Sequence, residues 1–322
     1  MDVAVTGAGG FIGSSMVAYL AQRGHNVLAI ERRPPREPSR MDTWRRAHDH
    51  QVVNLDRDHP DFSGVDVVYH FAADHGGVGY FHAHDFWPYV TNTRIDCNVL
   101  EAMIDAGVER AFVAASACAY PTTLQMTPGH APLLSEDCLE TGPPDQMYGR
   151  AKLMLLRLAE RAPVDVRVGI LHTVYGVGQD HSNDRAKFPT AIVSKMLAAR
   201  QSGSVEIWGD GQQLRSYLWI DDALAKIEAL TMDPDNIGPT NIGYQGAASV
   251  REIAQLCADL LGIAPTFHFT TDKPSGVLSR DCDNTKFWDR YGHMEPTGYA
   301  QGFGRLIEWL EHTWQSPTAI AR

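Results

Sequence analysis

The turn Gly7-Ala8-Gly9-Gly10-Phe11-Ile12-Gly13 constrains this chain more than any other segment. Asp2 to Thr6 ahead of it reads as a short buried strand. The residues from Phe11 to Gly24 carry apolar side chains at helical spacing (Phe11, Ile12, Met16, Leu20) and stop on a glycine suited to a helix C-terminus. Gly7, Gly10 and Gly13 let the backbone turn sharply and lie close to a pyrophosphate, and the helix start offers it free N–H groups. A bare glycine pattern says little, but strand, turn and helix together specify a dinucleotide site. Glu31 closes the next strand, about 20 residues further on, where a carboxylate meets a ribose 2′-hydroxyl and repels a 2′-phosphate. That favours NAD over NADP, although Arg32 and Arg33 follow directly. Phe11, Ile12, Asp56, Ala72, Tyr148 and Lys152 complete the expected cofactor-binding set.

Further strands are expected at His25 to Glu31, at Val52-Val53, and at Val67 to Phe71, Arg110 to Ser116 and Val166 to Leu171. Helices are expected at Asn92 to Ala106 and Met147 to Arg161, with a polar, Pro- and Arg-rich loop from Arg32 to Arg46. Alternation of this kind specifies an α/β fold, a doubly wound parallel sheet of Rossmann type. The NAD-binding domain is expected over 1–171, with segments near 215–245 returning to it. A smaller α/β substrate domain is expected over most of 172–322. In that half, helices are expected at Thr190 to Arg200, Val250 to Leu261 and Gly302 to Trp314, with a strand at Val205 to Trp208. The 322 residues suffice for this, and 44% hydrophobic with 21% charged residues is a globular composition. A net charge of −11 argues against nucleic acid or an anionic membrane as partner. No apolar run is long enough for a membrane span, and no signal peptide fits ahead of a strand starting at residue 2. The five cysteines form no C-x-x-C pair, so reduced thiols in a cytoplasmic protein are expected.

Tyr148 and Lys152 are four apart on an expected helix and share a face. Ser116 ends a strand, where open α/β sheets bind ligands. A tyrosine moves a proton near neutral pH only when positive charge lowers its pKa, and a lysine beside it supplies such charge. With the glycine turn, His70-Phe71-Ala72-Ala73, and the run from Trp208 to Tyr217, these residues resemble the extended short-chain dehydrogenase/reductase superfamily over nearly the whole chain. In members acting on nucleotide sugars, the arginine of the last motif meets the diphosphate, which implies that role for Arg215. The resemblance also implies a homodimer formed through the helices Asn92 to Ala106 and Met147 to Arg161.

A closer resemblance is to the GDP-mannose 3,5-epimerase family. It rests on Ala72-Ala73-Asp74-His75-Gly76-Gly77-Val78-Gly79, on Ser116-Ala117-Cys118-Ala119-Tyr120-Pro121, on Arg185-Ala186-Lys187-Phe188-Pro189, and on the stretch containing Arg280. The resemblance implies Gly77, Val78, Lys187, Arg215 and Arg280 as substrate-binding residues and Cys118 with Lys187 as an acid–base pair. The implied chemistry passes through a transient 4-keto sugar. Oxidation at C4, with Tyr148 as base and Lys152 and Ser116 assisting, makes the C3 and C5 protons removable. Return of the hydride leaves NAD unconsumed, and no metal is required. Three positions depart from the family pattern: Ala186 replaces a Glu, Thr173 an Asn, and His75 an apolar residue. A single-centre GDP-sugar epimerase and a UDP-sugar 4-epimerase therefore stay open, as does a non-catalytic NAD-binding sensor, against which the intact Ser116, Tyr148 and Lys152 speak. His70 is expected to pack at its strand end without a catalytic role.

Overall fold

A computed structural model of the chain describes residues 1–181, 186–273 and 276–314. The chain begins with β1 (Asp2–Thr6), α1 (Phe11–Gln22), β2 (Asn26–Glu31), α2 (Pro38–Trp44), β3 (Asp49–Val52), β4 (Val67–His70), α3 (Val78–Ala83), α4 (Phe86–Ala106) and β5 (Arg110–Ser116). It continues through β6 (Leu133–Leu134), α5 (Gln146–Arg161), β7 (Asp165–Leu171), β8 (Thr173–Tyr175), α6 (Phe188–Ser202), β9 (Ser204–Trp208), β10 (Leu214–Arg215), β11 (Tyr217–Trp219) and α7 (Ile220–Met232). It closes with β12 (Thr240–Ile242), β13 (Ala248–Ser249), α8 (Val250–Leu261), β14 (Thr266–Thr270), β15 (Ser279–Cys282), α9 (Thr285–Tyr291) and α10 (Tyr299–Trp314).

Seven strands form one parallel sheet in the order β12-β7-β5-β4-β1-β2-β3. This is the doubly wound α/β architecture expected of the strand–helix alternation. A parallel sheet must be covered on both faces, so its strands are apolar throughout rather than alternating. In β1, Val3 and Val5 enter one apolar cluster with Met16 and Leu20 of α1, while Ala4 enters another with Val99 and Met103 of α4. Strand order reverses between β1 and β4, which opens a crevice at their carboxyl ends.

Beyond the main sheet lie a four-stranded sheet, β13-β10-β15-β6, to which the segment between β5 and α5 contributes β6, and the parallel pairs β11-β8 and β14-β9. Asn241 in β12 ties the two larger sheets together. Its side-chain oxygen accepts from the Tyr120 hydroxyl at 2.8 Å and lies 3.1 Å from His172 Nε2. Its amide donates to Leu134 O at 2.7 Å and Asp283 O at 3.0 Å. Burial lowers the His172 pKa to about 3, so this imidazole is neutral.

Several boundaries differ from expectation. The loop expected at Arg32 to Arg46 contains α2, because the Glu37 carboxylate caps it by accepting from Ser39 and Arg40 N–H and Pro38 occupies the first turn. Helix α4 starts six residues before Asn92, since Pro88 in its first turn lacks only an N–H that no helix uses there. The third strand is Asp49–Val52 rather than Val52-Val53. Helices α3, α7 and α9 had no counterpart in the expected elements.

Asn241→Ala would leave the Leu134 and Asp283 carbonyls and the Tyr120 hydroxyl buried without their partner. A loss of about 3 kcal/mol is expected, read as a lower urea midpoint. An unchanged midpoint would refute the tie between the sheets.

Candidate active site

The β1–α1 turn is packed backbone to backbone. Gly7 adopts φ +67°, and a Cβ there would stand 2.7 Å from Ala72 N. A Cβ at Gly13 would stand 2.1 Å from Gly7 O, and one at Gly10 3.2 Å from it. Phe11 and Ile12 open α1 behind this cradle and pack, half-buried, on the core. Glu31 is held at its rim, one carboxylate oxygen accepting from Gly9 N–H at 3.2 Å and the other from Arg32 N–H at 2.9 Å. Asp56 presents a buried Oδ1 without a hydrogen-bond partner among the described residues, 3.7 Å from Arg94 Nη1. Free helix-terminal N–H groups, a cradle that side chains would fill and a fixed carboxylate suit a dinucleotide with a free ribose hydroxyl.

Behind the turn runs a buried polar chain. Ala72 N–H donates to Thr6 Oγ1 at 3.3 Å, Thr6 Oγ1 meets His70 Nδ1 at 2.6 Å, and His70 Nε2 meets Asp96 Oδ1 at 3.0 Å. Lys152 Nζ lies 3.7 Å from the same oxygen. With Nε2–H donating to Asp96, Nδ1 would be left to accept from the Thr6 hydroxyl. His70 thus does pack at its strand end, as expected, but within a chain that joins the glycine turn to Lys152. Asn92, one helical turn before Asp96, clamps the backbone of Asp74 from both sides, at 2.7 and 3.0 Å.

Tyr148 and Lys152 face inward from α5 and are buried, and Ser116 hydrogen-bonds to Tyr148 while accepting from Cys118 N–H at 3.2 Å. The Tyr148 phenol is pushed well above its usual pKa by burial, then by the nearby Cys118 and Asp96, with Ser116 opposing. It needs added positive charge to act as a base. Cys118 reaches the site because Gly149 lets its carbonyl approach α5: a Cβ there would stand 2.1 Å from Cys118 O.

Arg280 gathers the rest. Its guanidinium donates to Cys118 Sγ at 3.6 Å, to Asp145 Oδ2 at 3.1 Å and to the Gln125 side-chain oxygen. Arg215 is its register partner across β10 and β15, and it donates to the carbonyls of Leu214 and Val277. Burial and then the Arg280 charge lower the Arg215 pKa to about 10, so two guanidinium groups converge where an anion would be stabilised. Lys187 precedes α6, half-buried; burial lowers its pKa, and Cys118 lies near enough to oppose that shift. Gly77 caps α3 and Val78 starts it. Val78 sits near Arg215, since a Cβ at Gly276 would stand 3.5 Å from Val78 Cγ2 and 3.9 Å from Arg215 Nη2. The same segment covers Tyr148, with the Phe81 ring stacked at 4.7 Å and His75 edge-on at 5.0 Å. Thr173 lies in β8 opposite Tyr217, and Ala186 is half-buried beside Lys187. Arg185, named with the lysine segment, lies outside the described residues.

Residues 3–243 match the NAD dependent epimerase/dehydratase family. The chain belongs to this family. This NAD-dependent epimerase/dehydratase is 32% identical over 318 residues to GDP-mannose 3,5-epimerase 1 of Oryza sativa subsp. japonica, covering 97% of this chain and 82% of that protein. It is 29% identical over 315 residues to GDP-mannose 3,5-epimerase of Arabidopsis thaliana, with the same two coverages, 97% and 82%. Among solved structures it resembles MoeE5 in complex with UDP-glucose and NAD, with a TM-score of 0.80, 29% identity and coverage of 98% of this chain and 100% of that one. Both named epimerases thus match across nearly the whole of this family member, second sheet included.

Sequence reading of this family member missed Asp96, Asn92, Asp145 and Gln125. Asn92 and Asp96 did leave a signal: two polar residues four apart on a helix face otherwise built of Ile95, Val99 and Met103. Asp145 and Gln125 lie in irregular segments, where spacing carries no such signal. Gly13→Ala is expected to weaken NAD binding about tenfold or more by titration calorimetry, since its methyl meets Gly7 O. Unchanged affinity would contradict the close-packed turn.

Proposed function

We propose that the protein is an NAD-dependent nucleotide-sugar epimerase that converts GDP-mannose to GDP-L-galactose through a transient 4-keto sugar. The observation that carries this reading is the meeting of Arg280 with Cys118, within electrostatic reach of Lys187 and Arg215 and on the Ser116–Tyr148 side of α5. An enzyme that only oxidises and re-reduces C4 needs Tyr148, Lys152 and Ser116 but has no use for a second proton-transfer pair. The relatives named GDP-mannose 3,5-epimerase support the same choice of substrate.

Gly7, Gly10, Gly13, Glu31, Asp56 and Ala72 would hold the dinucleotide, with Tyr148 and Lys152 at its reactive end. NAD supplies, when bound, a hydride acceptor and the positive charge that the buried Tyr148 lacks. Tyr148 takes the proton of the C4 hydroxyl, and Ser116 orients that hydroxyl. With a carbonyl at C4, Cys118 and Lys187 remove and return the C3 and C5 protons. The lowered pKa of Lys187 makes a proton easier to give up than from a solvated lysine. Arg215 binds the diphosphate, and Arg280 holds the thiol and a sugar oxygen. Gly77 and Val78, beside Arg215, contact the sugar nucleotide.

The same reading assigns 1–171 with the returning 215–245 segments to the cofactor and most of 172–322 to the sugar nucleotide. It makes the working form a cytoplasmic homodimer, joined through α4 and α5, where Ile104 and Met154 stand exposed.

Incubation with GDP-mannose in D2O is expected to place deuterium at C3 and C5, read by mass spectrometry and NMR. Cys118→Ala is expected to lower that incorporation about a hundredfold or more while leaving NAD binding unchanged. Label at one carbon alone would identify a single-centre epimerase. Turnover of a UDP-sugar with Cys118→Ala fully active would identify a 4-epimerase. Retention of NAD without turnover of any nucleotide sugar would identify a sensor.

A further inference from the structure

The buried carboxylate of Asp96 has no part in the proton transfers above, yet it is the only carboxylate ion-paired to Lys152 among the described residues. It is 1% exposed, and Lys152 is 3% exposed. Oδ1 carries both of its contacts, to His70 Nε2 at 3.0 Å and to Lys152 Nζ at 3.7 Å. Oδ2 is buried without a hydrogen-bond partner among the described residues. A buried carboxylate with half of its acceptor capacity unused costs free energy, and an uncharged residue could hold His70 equally well. What a carboxylate adds at this position is its charge.

Charge here acts on Lys152 beside it and on the Tyr148 phenol directly. In water an ammonium and a carboxylate at this separation interact weakly; in a buried site they cancel one another's field to a large extent. Lys152 sits one helical turn from Tyr148 on the same face of α5. The groups facing Tyr148 are Lys152 on its own helix, Asp96 on α4, Ser116 and Cys118 after β5, and Asp74 with His75 after β4. The groups facing Asp96 are His70 on β4 and Lys152 on α5, with Cys97 next to it in sequence. Lys152 is the one lysine or arginine among them.

We propose that Asp96 is a positioning residue that holds Lys152 and offsets its charge, so that Tyr148 stays protonated until the cofactor binds. Lysine alone would arm the phenol whether or not a dinucleotide is present. With Asp96 in place, the deciding charge is the nicotinamide's, and through His70 and Thr6 the same carboxylate is tied to the turn that receives the pyrophosphate. The inference rests on Tyr148 being the base of the proposed reaction.

The test is a tyrosinate titration by ultraviolet difference spectroscopy on NAD-loaded protein, which needs no substrate. Subtracting the Tyr148→Phe curve from the wild-type curve isolates the Tyr148 step. The same subtraction for Asp96→Asn uses the Asp96→Asn/Tyr148→Phe double variant. Asp96→Ser, shorter and still able to accept from His70, serves as the second variant should Asn fail to fold. The Tyr148 step is expected to move to lower pH by about one unit in each Asp96 variant, because removing the carboxylate leaves the Lys152 charge unopposed. Loosened packing would also lower it by admitting water to the buried phenol, so Asp96→Glu, which disturbs the packing but keeps the charge, is expected to leave the step unmoved. An unmoved step in Asp96→Asn or Asp96→Ser, one moved to higher pH, or an equal shift in Asp96→Glu overturns the role of Asp96 while leaving Tyr148 as base. Coincident wild-type and Tyr148→Phe curves would show that Tyr148 does not titrate, and would overturn its role as base and this inference together.

Discussion

The β1–α1 turn and the end of β4 touch backbone to backbone, and the rest of the site is laid out from that contact. Gly7 allows it by having no side chain where Ala72 N approaches. Because both strands are parallel and adjacent, their carboxyl ends arrive at the same edge of the sheet, and so do those of β2 and β5. Glu31, Ala72 and Ser116 therefore reach one crevice from three strands. The polar chain from Thr6 through His70 and Asp96 to Lys152 runs beneath it, fully buried. Buried polar contacts rigidify their surroundings, and here they join the glycine turn to the helix that carries Tyr148, with only Asp96 Oδ1 engaged.

The second sheet is positioned by different physics. Its strands are short, and Asn241 and Arg280 fix it against the main sheet. The three donor groups of Arg280 reach Cys118, Asp145 and Gln125, which lie in three separate segments. A substrate that approaches this guanidinium meets the thiol at the same time. Arg215 beside it brings a second positive charge, whose partial neutralisation by a diphosphate would be worth more in this buried place than on the surface.

Much of this was legible in the sequence because the relevant signals are local. The glycine turn, Tyr148 and Lys152, and the strands ending at Glu31 and Ser116 each depend on residues a few positions apart. Asp96 and Asn92 were not legible in the same way: a polar residue on a helix shows nothing of what it faces until α4 is packed against β4 and α5. Helix α2 leaves no clear start signal because its cap, Glu37, is not one of the usual capping residues. Helix α3 is masked in the sequence by Gly76, Gly77 and Gly79 around its start, although Gly77 serves there as its cap. Arg280 was picked out by resemblance alone, since its partners come from positions far away along the chain.

The central claim is that a hydride leaves C4 of a nucleotide sugar and returns to it within one catalytic cycle. Turnover of GDP-mannose carrying deuterium at C4 tests it most directly. The account predicts that products analysed by NMR keep the deuterium at C4, with none released to water. Release of the C4 label to solvent, or products formed at full rate by Tyr148→Phe, would contradict it.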